Sequence, residues 1–425
     1  MTTPVIGYAG MTHLGLNCAV ASAEKGFETV CYDADSRHIS RLARNELSIV
    51  EPDLSELLEK NIGRIKFTAD LSQLKSCDLV YIASDVVTDD LGKSDLEPID
   101  SLIVEVSTGM RQDAVMVVLS QVPPGFTRGR FREDRQLYYQ VETLIFGQAI
   151  QRALHPERFI VGCADPHEPL PPAFAQYLDS FDCPILPMRY ESAELAKISI
   201  NVCLVASVSV ANTMAELCES IGADWSEIVP SLKLDRRIGQ YSYLAPGLGI
   251  GGGNLERDLA TVCNLADQNG TDAGVVRAWI ANSHHRRDWV LRSLYREVLS
   301  KTNNPVIAVL GLAYKQDTDS TKNSPSLALL EHLQSFDVRV FDPVVPASAV
   351  PNPQCHGAES EYEACEGADV LAVMTPWPQF KDLGLLEVAK AMRGQVVLDP
   401  YGVLDSEKCG NAGLSHHTLG VGTLA

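Results

Sequence analysis

Residues 235–259 read DRRIGQYSYLAPGLGIGGGNLERDL, and five glycines (Gly247, Gly249, Gly251, Gly252, Gly253) fall within seven positions of that stretch. No packed helix or strand tolerates such a density. Glycine lets a backbone take positive φ and approach a ligand closely, and a glycine-rich run can turn successive N–H groups toward an anion. Taken alone, the run is also what a flexible surface loop looks like. Its flanks carry charge, with Asp235, Arg236 and Arg237 before it and Asp258 after it.

Upstream, ESAELAKISINVCLVASVSVANTMAELCESIGAD has apolar residues at helical spacing from Glu191 and stops at Gly222, a glycine suited to a C-terminal cap. Glu194, Lys197 and Asn201 lie three and four apart and share one face. By itself that face reads as a solvated polar stripe. Further helical sequence covers Thr261–Asn269 and Val275–Ser300.

The N-terminal PVIGYAGMTHLGL reads as a strand, a glycine turn and a helix start. Two registers of a G-x-G-x-x-G fingerprint are open: Gly7 first, with Ala9 and Thr12 in the other places, or Gly7 second and Gly10 third. A second strand, FETVCYD, ends in Asp33, placed to bind adenosine ribose hydroxyls and to favour NAD over NADP, with Asp35 as the nearby competitor. Strands are expected at 77–83 (CDLVYIA), 101–107 (SLIVEVS) and in MVVLSQVPPGFT, and repeated βα units of this kind give a parallel sheet. A second α/β region opens at NNPVIAVLGLAYK and continues through VRVFDPVVP, ADVLAVMTPWPQF and VVLDP.

The 425 residues suffice for two or three domains, and 45% apolar with 21% charged residues is ordinary for a globular enzyme. A formal charge of −20 argues against nonspecific binding to nucleic acid or an anionic membrane. Eleven cysteines without C-x-x-C spacing, and no apolar N-terminal signal region, point to reduced thiols in the cytoplasm. The apolar-leaning run Val202–Ala215 is too short to span a bilayer. No metal is expected.

Asp235, Arg237, Ile238 and Gly239, then Pro246 to Gly252, Arg257 and Asp258, resemble the signature of the UDP-glucose/GDP-mannose 6-dehydrogenase family, D-x-R-I-G followed by P-G-x-G-x-G-G-S-C-F-x-K-D. Asn254 stands where that family has its nucleophilic cysteine. Ala193 to Asn201 is similar to the family's catalytic helix, A-E-x-x-K-x-x-x-N. The family's G-x-G-Y-V-G favours the register with Gly7, Tyr8, Ala9 and Gly10 as the cofactor turn. Ser120-Gln121-Val122-Pro123 resembles S-T-V-P beside the nicotinamide; VETLIFGQA resembles P-E-F-L-x-E-G-x-A, with Glu142 kept and Phe146 in place of a second glutamate. Gly311, Lys315, Thr318, Ser324 and Pro325 match L-G-x-x-F-K-x-x-T-x-D-x-R-x-S-P, where Lys322 replaces the arginine that reaches the cofactor pyrophosphate. Thr375 and Trp377 match T-x-W, and Tyr401 stands where a substrate-binding arginine is usual.

The resemblance implies an α/β protein of two Rossmann-like domains with parallel sheets (1–190 dinucleotide-binding, 301–425 nucleotide-sugar-binding) joined by a helical middle domain (191–300) with a long central helix that forms a homodimer core. The active site is expected in the cleft. The resemblance implies NAD as cofactor, a UDP- or GDP-linked hexose as substrate and service in polysaccharide biosynthesis. Asp258 is implied as base through a water and Lys197 and Asn201 as donors to the alkoxide, with Glu142 and Asn254 beside them; Arg237, Gly251, Gly252 and Lys315 are implied as substrate contacts, Arg237 reaching the neighbouring subunit's substrate. Without a thiol at 254 a two-electron oxidation is expected. The alternatives are a four-electron oxidation through a gem-diol and an inactive nucleotide-sugar-binding protein.

Overall fold

The computed structural model describes residues 3–47, 51–89 and 94–422. The chain falls into two compact units, one ending at Ile200 and one beginning at Asn201.

In the first unit eight strands, β1 (Ile6–Ala9), β2 (Thr29–Tyr32), β3 (Ile65–Thr68), β4 (Leu79–Ile82), β5 (Val115–Val118), β6 (Leu137–Gln140), β7 (Phe159–Cys163) and β8 (Ile185–Arg189), form one sheet in the order β3-β2-β1-β4-β5-β6-β7-β8. Strands β1, β2, β4 and β5 are buried at every residue, as expected of parallel strands covered on both faces. The sheet departs from purely parallel at one seam: β7 pairs antiparallel with β6. Residues 101–107 are not a strand; they belong to the helix Glu97–Gly109, whose buried Ile99, Ile103 and Val106 follow helical spacing. Its β-branched run looks strand-like only in a window too short to show a period of 3.6.

The second unit holds a six-stranded parallel sheet of β9 (Val306–Leu310), β10 (Asp337–Phe341), β11 (Cys355–Gly357), β12 (Val370–Val373), β13 (Val396–Leu398) and β14 (Ser415–His417), ordered β11-β10-β9-β12-β13-β14. Its helical part includes Asn254–Asn269, Gly274–Arg287 and Trp289–Leu294. The long helix runs Tyr190–Ile221, 32 residues, beginning in the first unit and continuing into the second. It ends at Gly222 with φ 76°, the left-handed cap read from the sequence. The continuous helix is longer than the run Val202–Ala215: an 18-residue window with mean hydropathy 1.6 makes it long and apolar enough to cross a membrane by length and composition. Arg286, 0% exposed, fixes the second helical layer to it, donating to Glu219 at 2.9 Å. The Glu219 carboxylate also accepts from Trp289 Nε1 and Gly420 N.

Candidate active site

In the first unit the cofactor turn lies five residues beyond the favoured register and three beyond the alternative one. β1 ends at Ala9 and the chain reverses at Gly10, with φ +95°, where a Cβ would sit 2.8 Å from the Cβ of Ser84. The helix His13–Glu24 then comes so close that a Cβ on Gly15 would lie 2.0 Å from the Gly10 carbonyl oxygen. A tight turn at the first glycine and close helix–strand packing at the third are what a dinucleotide fingerprint requires, so the three places are Gly10, Thr12 and Gly15. Gly7, Tyr8 and Ala9 are strand core instead. Tyr8 stacks on Tyr81 at 5.0 Å, and its hydroxyl meets Ser22 at 2.8 Å and Tyr177 at 2.9 Å. Of the four expected turn residues only Gly10 stays in the turn. Threonine in the middle glycine's place hid the pattern, although the Gly10–Gly15 interval already matched a first and third glycine.

Thr12 fills its place by accepting from Asp85 N at 3.0 Å and donating to Ala83 O at 3.4 Å. Asp33 follows β2 beside the turn: one carboxylate oxygen accepts from Met11 N and the other from Asp35 N, both at 3.0 Å. Asp35 caps the helix Ser36–Leu42 by accepting from Arg37 N and His38 N, so the strand-end carboxylate next to the turn is that of Asp33. The Gly10 and Gly15 cradle and this carboxylate fit a dinucleotide. Ser120, 0% exposed, donates to Ser84 O at 2.6 Å and ties the ends of β4 and β5.

His13, which sequence reasoning missed, lies in the turn itself. Its Nε2 is 2.9 Å from the Glu51 carboxylate, and its ring stacks on Phe146 at 4.2 Å. Phe146 is thus an aromatic partner of the turn. Glu142 accepts from Thr143 N at 2.5 Å and from the Cys18 thiol at 3.6 Å. Burial raises its carboxyl above the ordinary value, opposed by its own hydrogen bonds and by the Lys197 ammonium, which places Glu142 and Lys197 near one another. Glu194, on the same helical face in sequence, is consumed structurally by accepting from Gly125 N at 2.6 Å and Thr127 N at 2.8 Å.

In the second unit Asn201 and Asp258, distant in sequence, meet. Asn201 Nδ2 donates to Asp258 Oδ2 at 2.5 Å, and Arg257 Nε lies 3.3 Å from the other oxygen. Asp258 is 1% exposed and Asn201 8%. Lys197 precedes Asn201 by one turn of the long helix.

The glycine run is held from several directions. Gly247 N donates to Asn212 Oδ1 and Ile250 N to Ser283 Oγ, each at 2.8 Å. Gly249, at φ +73°, passes so near Ser283 that a Cβ would be 2.4 Å from its carbonyl oxygen. Tyr314 covers Gly251 and Gly252, where a Cβ would meet its ring at 3.3 and 3.0 Å. Gly252 N donates to Lys322 O at 3.1 Å, while Asn323 Nδ2 donates both to Gly252 O at 2.9 Å and to the Glu256 carboxylate. Tyr401 lies beside the start of the run, its ring 3.8 Å from where a Cβ on Gly247 would sit. The stretch is therefore an ordered loop.

Asn254 is the exposed first residue of the helix Asn254–Asn269. The Lys322 side chain lies over the preceding Gly253, where a Cβ would meet its methylenes at 3.2 and 3.3 Å. Lys315 Nζ lies 5.8 Å from the centre of the Tyr314 ring. Arg237, with its side chain 88% exposed, pairs with Asp235 at 2.6 Å.

The first unit, with its turn, strand-end carboxylate and parallel sheet, is a dinucleotide-binding domain of the dehydrogenase kind. Family models describe the rest: "UDP-glucose/GDP-mannose dehydrogenase family, NAD binding domain" matches residues 4–175, the central domain of the same family 191–284 and its UDP binding domain 308–406. The chain belongs to the UDP-glucose/GDP-mannose dehydrogenase family and is an NAD-dependent nucleotide-sugar dehydrogenase. It is 29% identical to the UDP-glucose 6-dehydrogenase TuaD of Bacillus subtilis, covering 98% of this chain and 93% of that protein. A UDP-glucose dehydrogenase structure from Pyrobaculum islandicum matches with TM-score 0.84 and 25% identity over 95% of both chains. A UDP-D-ManNAc dehydrogenase from Pyrococcus horikoshii matches with the same TM-score and identity over 98% of this chain and 99% of that one. The long apolar helix is thus a core helix of the family fold.

Proposed function

We propose that this enzyme oxidises the C6 hydroxyl of a UDP-linked hexose by two electrons and releases the aldehyde. The observation that carries this is Asn254, an amide at the exposed start of the helix where the family signature has its thiol. An amide nitrogen is conjugated and does not add to a carbonyl, so no covalent adduct forms there. Asp258 is the base, acting through a water, and its ionised form accepts the Asn201 amide bond. That bond uses one of the two amide N–H groups. The other, with the Lys197 ammonium, donates to the oxygen that becomes an alkoxide. Glu142, held by Thr143 N and Cys18 and near Lys197, shapes the charge around that oxygen. NAD, when bound, accepts the hydride.

Gly251 and Gly252 receive the sugar along the held loop, with Lys315 and Lys322 supplying positive charge and Asp33 taking the ribose hydroxyls. The functional division is 1–190, 191–300 and 301–425. The unit is a homodimer, supported by exposed Val210, Met214, Leu217 and Ile221 on the long helix and by exposed Leu234, Ile238 and Tyr241 around Arg237, which then serves the neighbouring subunit's substrate. The eleven free cysteines suit the cytoplasm.

The test is stoichiometry with UDP-glucose and related UDP-sugars. About one NADH per sugar, with a product trapped by a carbonyl reagent, is expected from the absent nucleophile. Two NADH per sugar with acid as sole product would establish the gem-diol route instead.

A further inference from the structure

In the first unit the strand order β3-β2-β1-β4-β5 reverses between β1 and β4, and ligands of open α/β sheets lie outside the carboxyl ends of the strands at such a point. The end of β1 supplies Gly10 to that crevice, and the segment just past β4 supplies Ser84 and Asp85. They are close neighbours, since a Cβ on Gly10 would lie 2.8 Å from that of Ser84. Asp85 turns back onto the cofactor turn: its N–H donates to Thr12 Oγ1 at 3.0 Å, and its carboxylate accepts from Leu14 N at 3.4 Å. Leu14 is the second residue of the helix His13–Glu24, whose first turn has no acidic side chain and whose N-cap Thr12 makes no side-chain cap bond. Asp85 therefore supplies, from the end of another strand, the acceptor and the negative charge that the start of this helix favours.

The same helix start is where a dinucleotide fold holds the cofactor pyrophosphate, on the same kind of N–H group. Two anions then compete for one place. The other carboxylates of the turn are engaged elsewhere: Asp33 accepts from Met11 N and Asp35 N, and Glu51 lies 2.9 Å from His13 Nε2. We propose that Asp85 sets the affinity of the dinucleotide site: its carboxylate holds the helix end in the cofactor-free protein, and NAD binds by displacing it. Asp85 is exposed, so its side chain can turn into water without disturbing the core. The displaced charge stays near the pyrophosphate, and water and salt weaken their repulsion without abolishing it. The consequence is a site that takes NAD weakly and releases NADH readily. This holds whether the sugar gives up two electrons or four, because the contest is over the cofactor alone.

Binding without sugar tests it, by calorimetry for NAD+ and by ligand-observed NMR for adenosine, both with EDTA present. Asp85→Asn keeps an oxygen that can accept from Leu14 N but carries no charge. It should bind NAD+ about tenfold more tightly than the unmodified protein at low ionic strength, and the gain should shrink as salt is raised. Adenosine, which has no pyrophosphate, should bind both proteins equally. Asp85→Ala, which vacates the helix end, should also tighten NAD+ binding, with a lower melting temperature from the lost cap. NAD+ affinity that is unchanged or lower in Asp85→Asn would overturn the proposal. So would an equal gain for adenosine, which would mark a change in the shape of the turn rather than in its charge. Repeating the titration with Mg2+ in place of EDTA closes the remaining route: tightening by Mg2+ that Asp85→Asn abolishes would show that the carboxylate holds a cation for the pyrophosphate, and would refute displacement.

Discussion

Two glycine-bearing regions, the turn after β1 and the run 247–253, use glycine differently. At the dinucleotide turn the glycines make room chiefly for main chain: Gly15 lets the helix His13–Glu24 approach the end of β1, and Gly10 lets the turn approach Ser84 at the end of β4. In the run 246–253 the glycines mostly admit side chains: Tyr314, Lys322 and Tyr401 lie where a Cβ would intrude or nearly touch, and Gly249 makes room for both the carbonyl and the hydroxyl of Ser283. A turn that must approach a phosphate backbone to backbone is specified by few positions. The second loop is specified by what leans on it from elsewhere in the chain.

Four substitutions sharpen the contrast. Gly15→Val should have the largest effect, because the new carbon falls 2.0 Å from a main-chain oxygen that cannot rotate away. A loss of about 3 kcal/mol or more is expected, read as a drop in melting temperature and loss of NAD binding. Gly249→Ala meets the Ser283 carbonyl at 2.4 Å and adds strain at φ +73°. It should cost about 2 kcal/mol and raise KM for the UDP-sugar while leaving NAD affinity within error. Gly239→Ala, at φ +90° with nothing within 4 Å, isolates the backbone term and should cost only about 1 kcal/mol. An equal loss at 239 and 249 would show that conformation, not the Ser283 contact, governs the loop. The smallest effect belongs to Asp33→Asn at the turn: removing the charge should narrow the preference for NAD+ over NADP+ about tenfold, measured by titration, at a stability cost of about 1 kcal/mol or less, since the amide can accept only one of the two backbone N–H groups that the carboxylate takes.

The fold class, the NAD cofactor and the family were legible because they depend on local pattern. The glycine run, the long helix with its stop at Gly222 and the Asp33 strand end are each contained within one element or its boundary. Local pattern misled where two elements share a composition. Gly7 and Gly10 compete for one fingerprint until a third dimension shows which glycine lies under a helix. The run 101–107 is β-branched enough for a strand, and only the burial of Ile99, Ile103 and Val106 reveals a helix. Glu194 shares a face with Lys197 in sequence but accepts two backbone N–H groups in the fold.

The sequence by itself determined which residue types this enzyme possesses, including the amide at 254 just after the glycine run, since identity needs no coordinates. Tertiary structure alone decided who meets whom: Asn201 with Asp258, His13 with Phe146, Tyr401 with Gly247, and Asn323 with both Gly252 and Glu256. Such pairings join positions far apart in the chain, and a carboxylate's ionisation depends on the burial and charge that those distant segments bring to it.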